Sequence, residues 1–403
     1  MTEHAVVVTG LGCVTAAGHN AADTWAQVLT GTSAIRPQEI VRADRKGVWP
    51  VATVRGWDGP SHFGGPAMMR LDPFAQYALV AAREAMSNAG WGKQIPDADE
   101  TAVVLGTGGG GEGSREEAAV QLFGTGKGRC HPMLVPRSNS QASVGAVAME
   151  WGCRGPAFTV STGCASGTHA IAQAALLVRA GVARRAITGG SEASVIYGVL
   201  KAFEAVRVLS CDTCRPFDGQ RLGMALGEGA GVLVLERRED AIARGAPILA
   251  ELAGWGLSAD AHDAVHPHPE GCALAMRRAL ALAGLPGEEI GYINAHGTGT
   301  LINDATEAQA IRDVFGSYAD DLPVSSTKAV HGHALGATGA IEAVLTLLAL
   351  RHRKAPPNAN LRQVDPACPI HVVAGEAEPI RTQAALSNSF AFGGLNASLV
   401  FRG

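Results

Sequence analysis

Short β-branched and aliphatic runs alternate with longer Ala- and Leu-rich stretches along the chain, the hydrophobic pattern of an α/β protein. In the first part, strands are expected at Ala5–Thr9, Ala102–Leu105, Ala157–Val160, Ala186–Thr188 and Gly231–Glu236. In the second they are expected at Ile248–Ala253, Tyr292–Ala295, Pro323–Ser326, Ile370–Val373, Ala384–Asn388 and Ala397–Phe401. Helical periodicity predicts helices over Pro73–Ala89, Ser138–Trp151, Ala165–Ala180, Gly271–Ala283, Asp304–Phe315 and Ala337–Arg351. Gly90 and Gly181 stand where a helix C-terminus needs a left-handed residue. No sequence repeat is obvious, yet both parts share a rhythm of short strands, Gly-, Ser- or Asn-rich turns and Ala-rich helices. The strand Ile248–Ala253 runs into a His- and Pro-rich loop, which sets a boundary near Gly254 and two halves, 1–253 and 254–403. No long linker separates them. Two similar layers packed on each other, with an active site between, are expected.

Composition sharpens the picture. Gly makes up 51 of 403 residues and charged residues only 17%, against about 25% charged in an average soluble chain. Such a chain keeps many tight strand–helix turns and little solvated surface. An apolar content of 47% excludes a disordered chain. With 33 basic and 37 acidic residues and no Lys/Arg run, binding to nucleic acid by bulk charge is excluded. The start, Met1-Thr2-Glu3-His4, is polar, and the apolar run behind it is too short for a signal segment. The longest apolar-rich stretch, Ala340–Leu350, carries Glu342 and is about half the ~20 residues a membrane span needs. Eight scattered cysteines fit a reducing, cytoplasmic setting rather than a disulfide framework.

Several segments carry candidate chemistry. Gly106-Thr-Gly108-Gly-Gly-Gly111 follows a predicted strand and matches GxGxxG. A dinucleotide site also wants an immediate helix and an acid about 20 residues on, whereas Gly126–Cys130 is a Gly/Lys/Arg loop. A tight turn is the better reading, with an NAD(P) oxidoreductase kept as an alternative. In Val160-Ser-Thr-Gly163-Cys164-Ala-Ser-Gly167 a strand meets a Gly-flanked turn and then a helix, the layout of a nucleophile elbow. A helix N-terminus beside Cys164 would lower its thiol pKa; the competing reading is a buried structural cysteine. His296 and His333 both stand where strands end, not mid-element as core histidines do, and Lys328 ends another strand. His331/His333, His266/His268 and the lone CxxC at Cys211/Cys214 lack further ligands at metal spacing, so no metal is expected.

Thr162-Gly-Cys164-Ala-Ser-Gly, Asn294-Ala-His296-Gly-Thr-Gly-Thr and Lys328…Gly332-His333-Ala-Leu-Gly-Ala-Thr-Gly together resemble the Cys-His-His signature of β-ketoacyl-acyl-carrier-protein synthases. The likeness is strongest to the type II elongation enzymes. It runs from Val6-Val-Val-Thr-Gly-Leu-Gly to Ser387-Asn-Ser-Phe-Ala-Phe-Gly-Gly, with Arg215-Pro-Phe-Asp218 and Leu226-Gly-Glu228-Gly-Ala-Gly231 between. It implies a thiolase-like αβαβα fold of two similar halves, normally a tight dimer. It also implies a decarboxylating Claisen condensation, with no cofactor beyond the phosphopantetheine of an acyl carrier protein.

By the same resemblance, Cys164 holds the acyl chain, and His296 and His333 stabilise the enolate of a malonyl carrier. Lys328 and Glu342 support the histidines. Phe392 is a gate whose N–H joins that of Cys164 in an oxyanion hole, with Gly393 and Gly394 letting it swing. Thr298 and Thr300 hold the pantetheine arm, and Phe390 contacts substrate. Gly109 and Glu112 stand where the acyl channel usually has large aliphatic side chains, which would favour unsaturated or functionalised acyl groups. Other departures are the shorter Arg207–Arg215 segment, a single cation in Ala67-Met-Met-Arg70, and Gly299 where Ser is frequent. A specialised polyketide- or aryl-polyene-type pathway therefore competes with fatty-acid synthesis. A non-catalytic chain-length-factor-like subunit is a further alternative, disfavoured because such subunits typically lack the cysteine. The partner in the dimer is a second copy or such a subunit.

Overall fold

Ten strands hydrogen-bond into one sheet made of two five-stranded parts. The first part contains β1 (Val6–Thr15), β2 (Thr101–Gly106), β3 (Ala157–Val160), β4 (Arg185–Glu192) and β5 (Gly229–Arg237). The second contains β6 (Ala250–Ala259), β7 (Ile290–Asn294), β8 (Val324–Ser325), β9 (Ala384–Ala391) and β10 (Leu395–Arg402). This computed structural model describes residues 4–126 and 128–403; Met1–Glu3 of the polar start and Lys127 of the Gly/Lys/Arg loop lie outside them.

The two parts repeat one topology. In the first, β1 pairs antiparallel with β5, β5 antiparallel with β4, β4 parallel with β2 and β2 parallel with β3. In the second, β6–β10, β10–β9, β9–β7 and β7–β8 follow the same sequence of antiparallel, antiparallel, parallel and parallel. Among the described strands, they join where Val7 and Val8 of β1 face Glu251 and Ala250 of β6.

Helices α1 (Pro73–Asn88) and α2 (Ala142–Trp151) cover the outer face of the first part. Helices α3 (Ser166–Arg179) and α6 (Thr338–His352) lie between the two parts, and α4 (Pro269–Ala283), with α5 (Leu301–Phe315) against it, covers the second. The result is the five-layer αβαβα architecture that the resemblance implied. Every residue of α6 from Thr338 to Leu350 is buried, as expected of a helix that is apolar all round. Its central position is what encloses Glu342.

Glycines explain why two strands run longer than expected. β1 continues through Gly10 and Gly12, where a Cβ would lie 2.0 Å from the carbonyls of Ala85 and Ala81 on α1. β6 continues through Gly254 and Gly256, where a Cβ would lie 2.2 and 1.9 Å from those of Ala279 and Ala275 on α4. Both pairs let a helix sit directly on a strand, so the strand expected to end at Ala253 continues through Gly254, with a shift of register between Leu252 and Gly254. The expected helix 138–151 begins only at Ala142, after a separate turn of helix at Leu134–Ser138, and Ile370–Val373 contributes the bridge Val372–Val324. A hairpin of Arg36–Arg42 and Arg45–Val51 and the helices Ala21–Leu29, Glu112–Ala119 and Tyr197–Ala205 are additional to the expected elements.

Candidate active site

Cys164 sits in the turn between β3 and α3, next to the helix N-cap Ala165. The turn is closed by Ala165 N–H to the Thr162 carbonyl (3.2 Å) and by the Ser166 hydroxyl to the Gly163 carbonyl (2.6 Å). The Ser166 hydroxyl also accepts from Thr162 N–H at 2.9 Å. Gly163 takes φ +57°, while Cys164 has no positive φ. The elbow's unusual backbone thus falls on glycine, which adopts it without strain. The thiol is half-buried against Ala165, Ala391 and an apolar cluster that includes Leu200 and Met224. Burial pushes its pKa up to about 11; Lys328 pulls it back and Glu192 adds to the rise. The lowered pKa expected from the helix terminus is therefore overturned by desolvation, and the resting group is a thiol.

His333 follows β8 and precedes α6, as Cys164 follows β3 and precedes α3, so the repeated topology turns the two towards one space. Its backbone is pinned by N–H to the Ala225 carbonyl (2.8 Å) and by Gly227 N–H to its own carbonyl (2.9 Å). Its Nδ1 lies 3.0 Å from the Thr338 hydroxyl. With that hydroxyl donating, Nε2 carries the ring proton. His296 ends the segment after β7, its ring 5.5 Å from that of His333 at 85° and 6.0 Å from Phe390. Burial, then the Lys328 charge, hold both imidazoles well below the usual histidine range. Both are neutral at pH 7, each with one ring N–H to offer.

Beneath them, Lys328 is fully buried and donates to Glu342 Oε1 at 2.6 Å and to the His296 carbonyl. Burial drives the Glu342 carboxyl upward and the ammonium pulls it back. Cys164, His296, His333, Thr298, Thr300, Phe390 and Phe392 line one cavity of about 360 Å³. The Thr298 and Thr300 hydroxyls are 2.9 Å apart. Phe392 is 41% exposed at its mouth, followed by Gly393 and Gly394 at φ +82° and +69°. Gly109 and Glu112 are not brought to this cavity. Glu112 begins its own helix and pairs with Arg115 at 2.7 Å, its side chain 31% exposed, so no unpaired carboxylate is buried against an acyl chain.

Two family models match, beta-ketoacyl synthase N-terminal domain over residues 3–241 and C-terminal domain over 249–362. The chain belongs to the beta-ketoacyl synthase family. It is 43% identical over 398 residues to nodulation protein E of a Rhizobium species, covering 98% of each chain. It is 39% identical over 406 residues to 3-oxoacyl-(acyl-carrier-protein) synthase 2 of Staphylococcus aureus, again over 98% of each. The solved ishigamide ketosynthase/chain length factor matches with a TM-score of 0.92 at 34% identity, over 99% of both chains.

In this ketosynthase three buried carboxylates shape the site, and all three escaped the sequence analysis. Glu307 accepts the N–H groups of His296 (2.8 Å) and Gly297 (2.7 Å), and burial pushes it up to about 7. Asp304 accepts Phe217 N–H (2.8 Å) and Gly299 N–H (3.1 Å). The Asp304/Glu307 spacing, one face of a helix at i, i+3, is the signal that would have found them. The third, Glu192, accepts Gly108 N–H at 2.6 Å. A carboxylate thus occupies the donor that a pyrophosphate would need in the GxGxxG reading. Cys214 is buried, donating to the Thr298 carbonyl at 3.2 Å, while Cys211 is exposed. Among the described residues no group of three or more His, Cys, Asp or Glu is placed to share a metal ion, and no helix is long and apolar enough to cross a membrane.

Proposed function

We propose that this ketosynthase joins an acyl group held on Cys164 to malonyl-acyl carrier protein, yielding 3-oxoacyl-acyl carrier protein and carbon dioxide. The convergence of one cysteine and two neutral histidines on a single cavity carries the reading. In the first half-reaction the Cys164 sulfur attacks the carrier thioester, and its proton leaves with the departing pantetheine thiol. The tetrahedral oxyanion is held by the N–H groups of Cys164 and Phe392. In the second, the malonyl carboxylate departs as carbon dioxide and its bonding electrons move into the thioester enolate. Two neutral imidazoles donate N–H to that enolate oxygen, stabilising it without adding two cations to a buried site. The enolate carbon then bonds to the acyl carbonyl, and the Cys164 sulfur leaves and takes up a proton.

Lys328, Glu342, Glu307 and Thr338 hold the histidines in place, and Thr298 and Thr300 receive the pantetheine arm. Phe392 gates the cavity by rotation at Gly393 and Gly394. The cysteine half, up to the start of β6, and the histidine half, from β6 onward, are the working units, since a boundary at Gly254 would fall inside that strand. No cofactor other than the carriers' phosphopantetheine is required. The free cysteines suit a reducing, cytoplasmic setting. The chain works as a dimer with a second copy or with a chain-length-factor-like subunit, in fatty-acid or specialised polyketide synthesis. Retention of Cys164 favours the enzyme over a non-catalytic subunit. The test is intact-protein mass spectrometry after incubation with a panel of acyl carriers. Cys164 is expected to gain the acyl mass and Cys164→Ser none; an adduct on another cysteine overturns the reading.

A further inference from the structure

Of the buried carboxylates at the site, Glu192 is one to which the mechanism gives no part. Glu192, the last residue of β4, receives four donors from three separate segments. Its Oε2 accepts Gly108 N–H at 2.6 Å, Gly336 N–H at 3.1 Å and, more weakly, the Thr107 hydroxyl at 3.4 Å. Its Oε1 accepts the Ser194 hydroxyl at 2.7 Å. Every partner donates, so the cage is built for the ionised form, which only accepts.

The two backbone donors belong to the two sides of the reaction. Gly336 lies three residues after His333, in the turn that leads into α6. Gly108 begins the loop after β2, and its carbonyl accepts the Ser161 hydroxyl at 3.2 Å, three residues before Cys164. Glycine is required for both segments to reach one oxygen. A Cβ on Gly108 would lie 2.9 Å from Glu192 Oε2, and one on Gly336 would lie 2.1 Å from Gly108 N. This accounts for the Gly-rich turn that a dinucleotide would otherwise have explained.

We propose that Glu192 is a positioning residue that fixes the His333 segment relative to the Cys164 turn through a single carboxylate oxygen. It contacts neither substrate nor the reacting atoms in this reading, which rests on the proposed condensation. Its role is to hold the enolate-stabilising imidazole at the distance from sulfur that carbon–carbon bond formation needs, where a displacement of about 1 Å costs on the order of 10²-fold in rate.

Glu192→Leu keeps a similar volume but removes the oxygen that accepts both the Gly108 and the Gly336 N–H. Decarboxylation of malonyl carrier should fall about 10- to 100-fold in kcat, with KM within about threefold. A second readout is the pH midpoint of Cys164 alkylation by iodoacetamide, followed by peptide mass. The charged groups acting on the thiol are Lys328, Glu192 and Glu342, with the neutral His296 and His333 in the same cavity. Losing the Glu192 charge should move the midpoint down, which checks that the carboxylate is ionised beside the thiol, while the fall in kcat at near-constant KM reports the positioning. A folded Glu192→Leu protein with either readout at its wild-type value overturns the proposal. Should that variant fail to fold, Ser194→Ala, which frees Oε1 but keeps the charge, should slow decarboxylation by less and leave the alkylation midpoint in place, and undiminished decarboxylation overturns the proposal. Alkylation requires no turnover, so this failure is distinguishable from failure of the condensation reading, which the acyl-adduct assay tests.

Discussion

Replacing Lys328 by Met removes an ammonium that is fully buried between Glu342 and the His296 carbonyl. Glu342, which burial already drives up to about 8, would lose the cation that pulls it back and stay in the core as an unpaired acid, its Oε2 already lacking a protein partner. Breaking one side of a buried pair costs about 3–5 kcal/mol. At about 2.1 cal/mol/K of unfolding entropy per residue, a chain of 403 residues loses about 4–6 °C in Tm. Lys328→Met/Glu342→Leu removes both groups and should recover most of that loss, since an apolar pair leaves no unpaired polar group in the core. The kinetics add a second signature. The Lys328 charge is one of the causes holding His296 and His333 low, burial being the larger. Without it both imidazoles protonate at higher pH, so the acid limb of decarboxylation should move upward while staying below the usual histidine range. Calorimetry of the three proteins at pH 7.5 and carbon dioxide release from malonyl carrier between pH 5 and 8 check this. A Lys328→Met Tm within 1 °C of wild type, or a double variant less stable than the single, would refute the reasoning.

His296→Ala and His333→Ala should each leave Cys164 acylation intact while slowing carbon dioxide release about 10²–10³-fold; undiminished release in both removes the histidines from the second half-reaction. Thr338→Val deletes the partner of His333 Nδ1 and should cost about 10- to 100-fold in decarboxylation, with Thr338→Ser restoring it; a fully active valine variant contradicts the tautomer assignment. Burial holds His331 down at about 3, so its contribution to stability is complete above about pH 6.5 and is lost as pH falls towards 3. His331→Gln should therefore shrink the stability difference between pH 7.5 and 5 by about 2 kcal/mol, read from urea midpoints; an unchanged difference refutes it. Iodoacetamide labelling of Cys164 should keep rising through pH 9 because the thiol sits at about 11, and a plateau near pH 7 would mean that the helix terminus outweighs burial.

What the sequence by itself determined is local or linear. The turn at Gly163-Cys164 is legible because a strand, a left-handed glycine and a helix N-terminus follow one another within eight residues, and His296, Lys328 and His333 stand in motifs that need no partner to be recognised. Tertiary structure decided what depends on enclosure. Gly254 reads as a break until α4 lies across β6 and shows that the glycine admits a helix carbonyl. Glu192 carries no local signal, because nothing in a strand-end sequence states that distant N–H groups will point at it. Glu112 reads as a channel residue only while Arg115, one helical turn on, is ignored. The Cys164 thiol shows the difference most directly. A helix terminus is a local, stabilising dipole visible in sequence, but desolvation arises from the walls that other segments build around the sulfur, and here it is the larger effect.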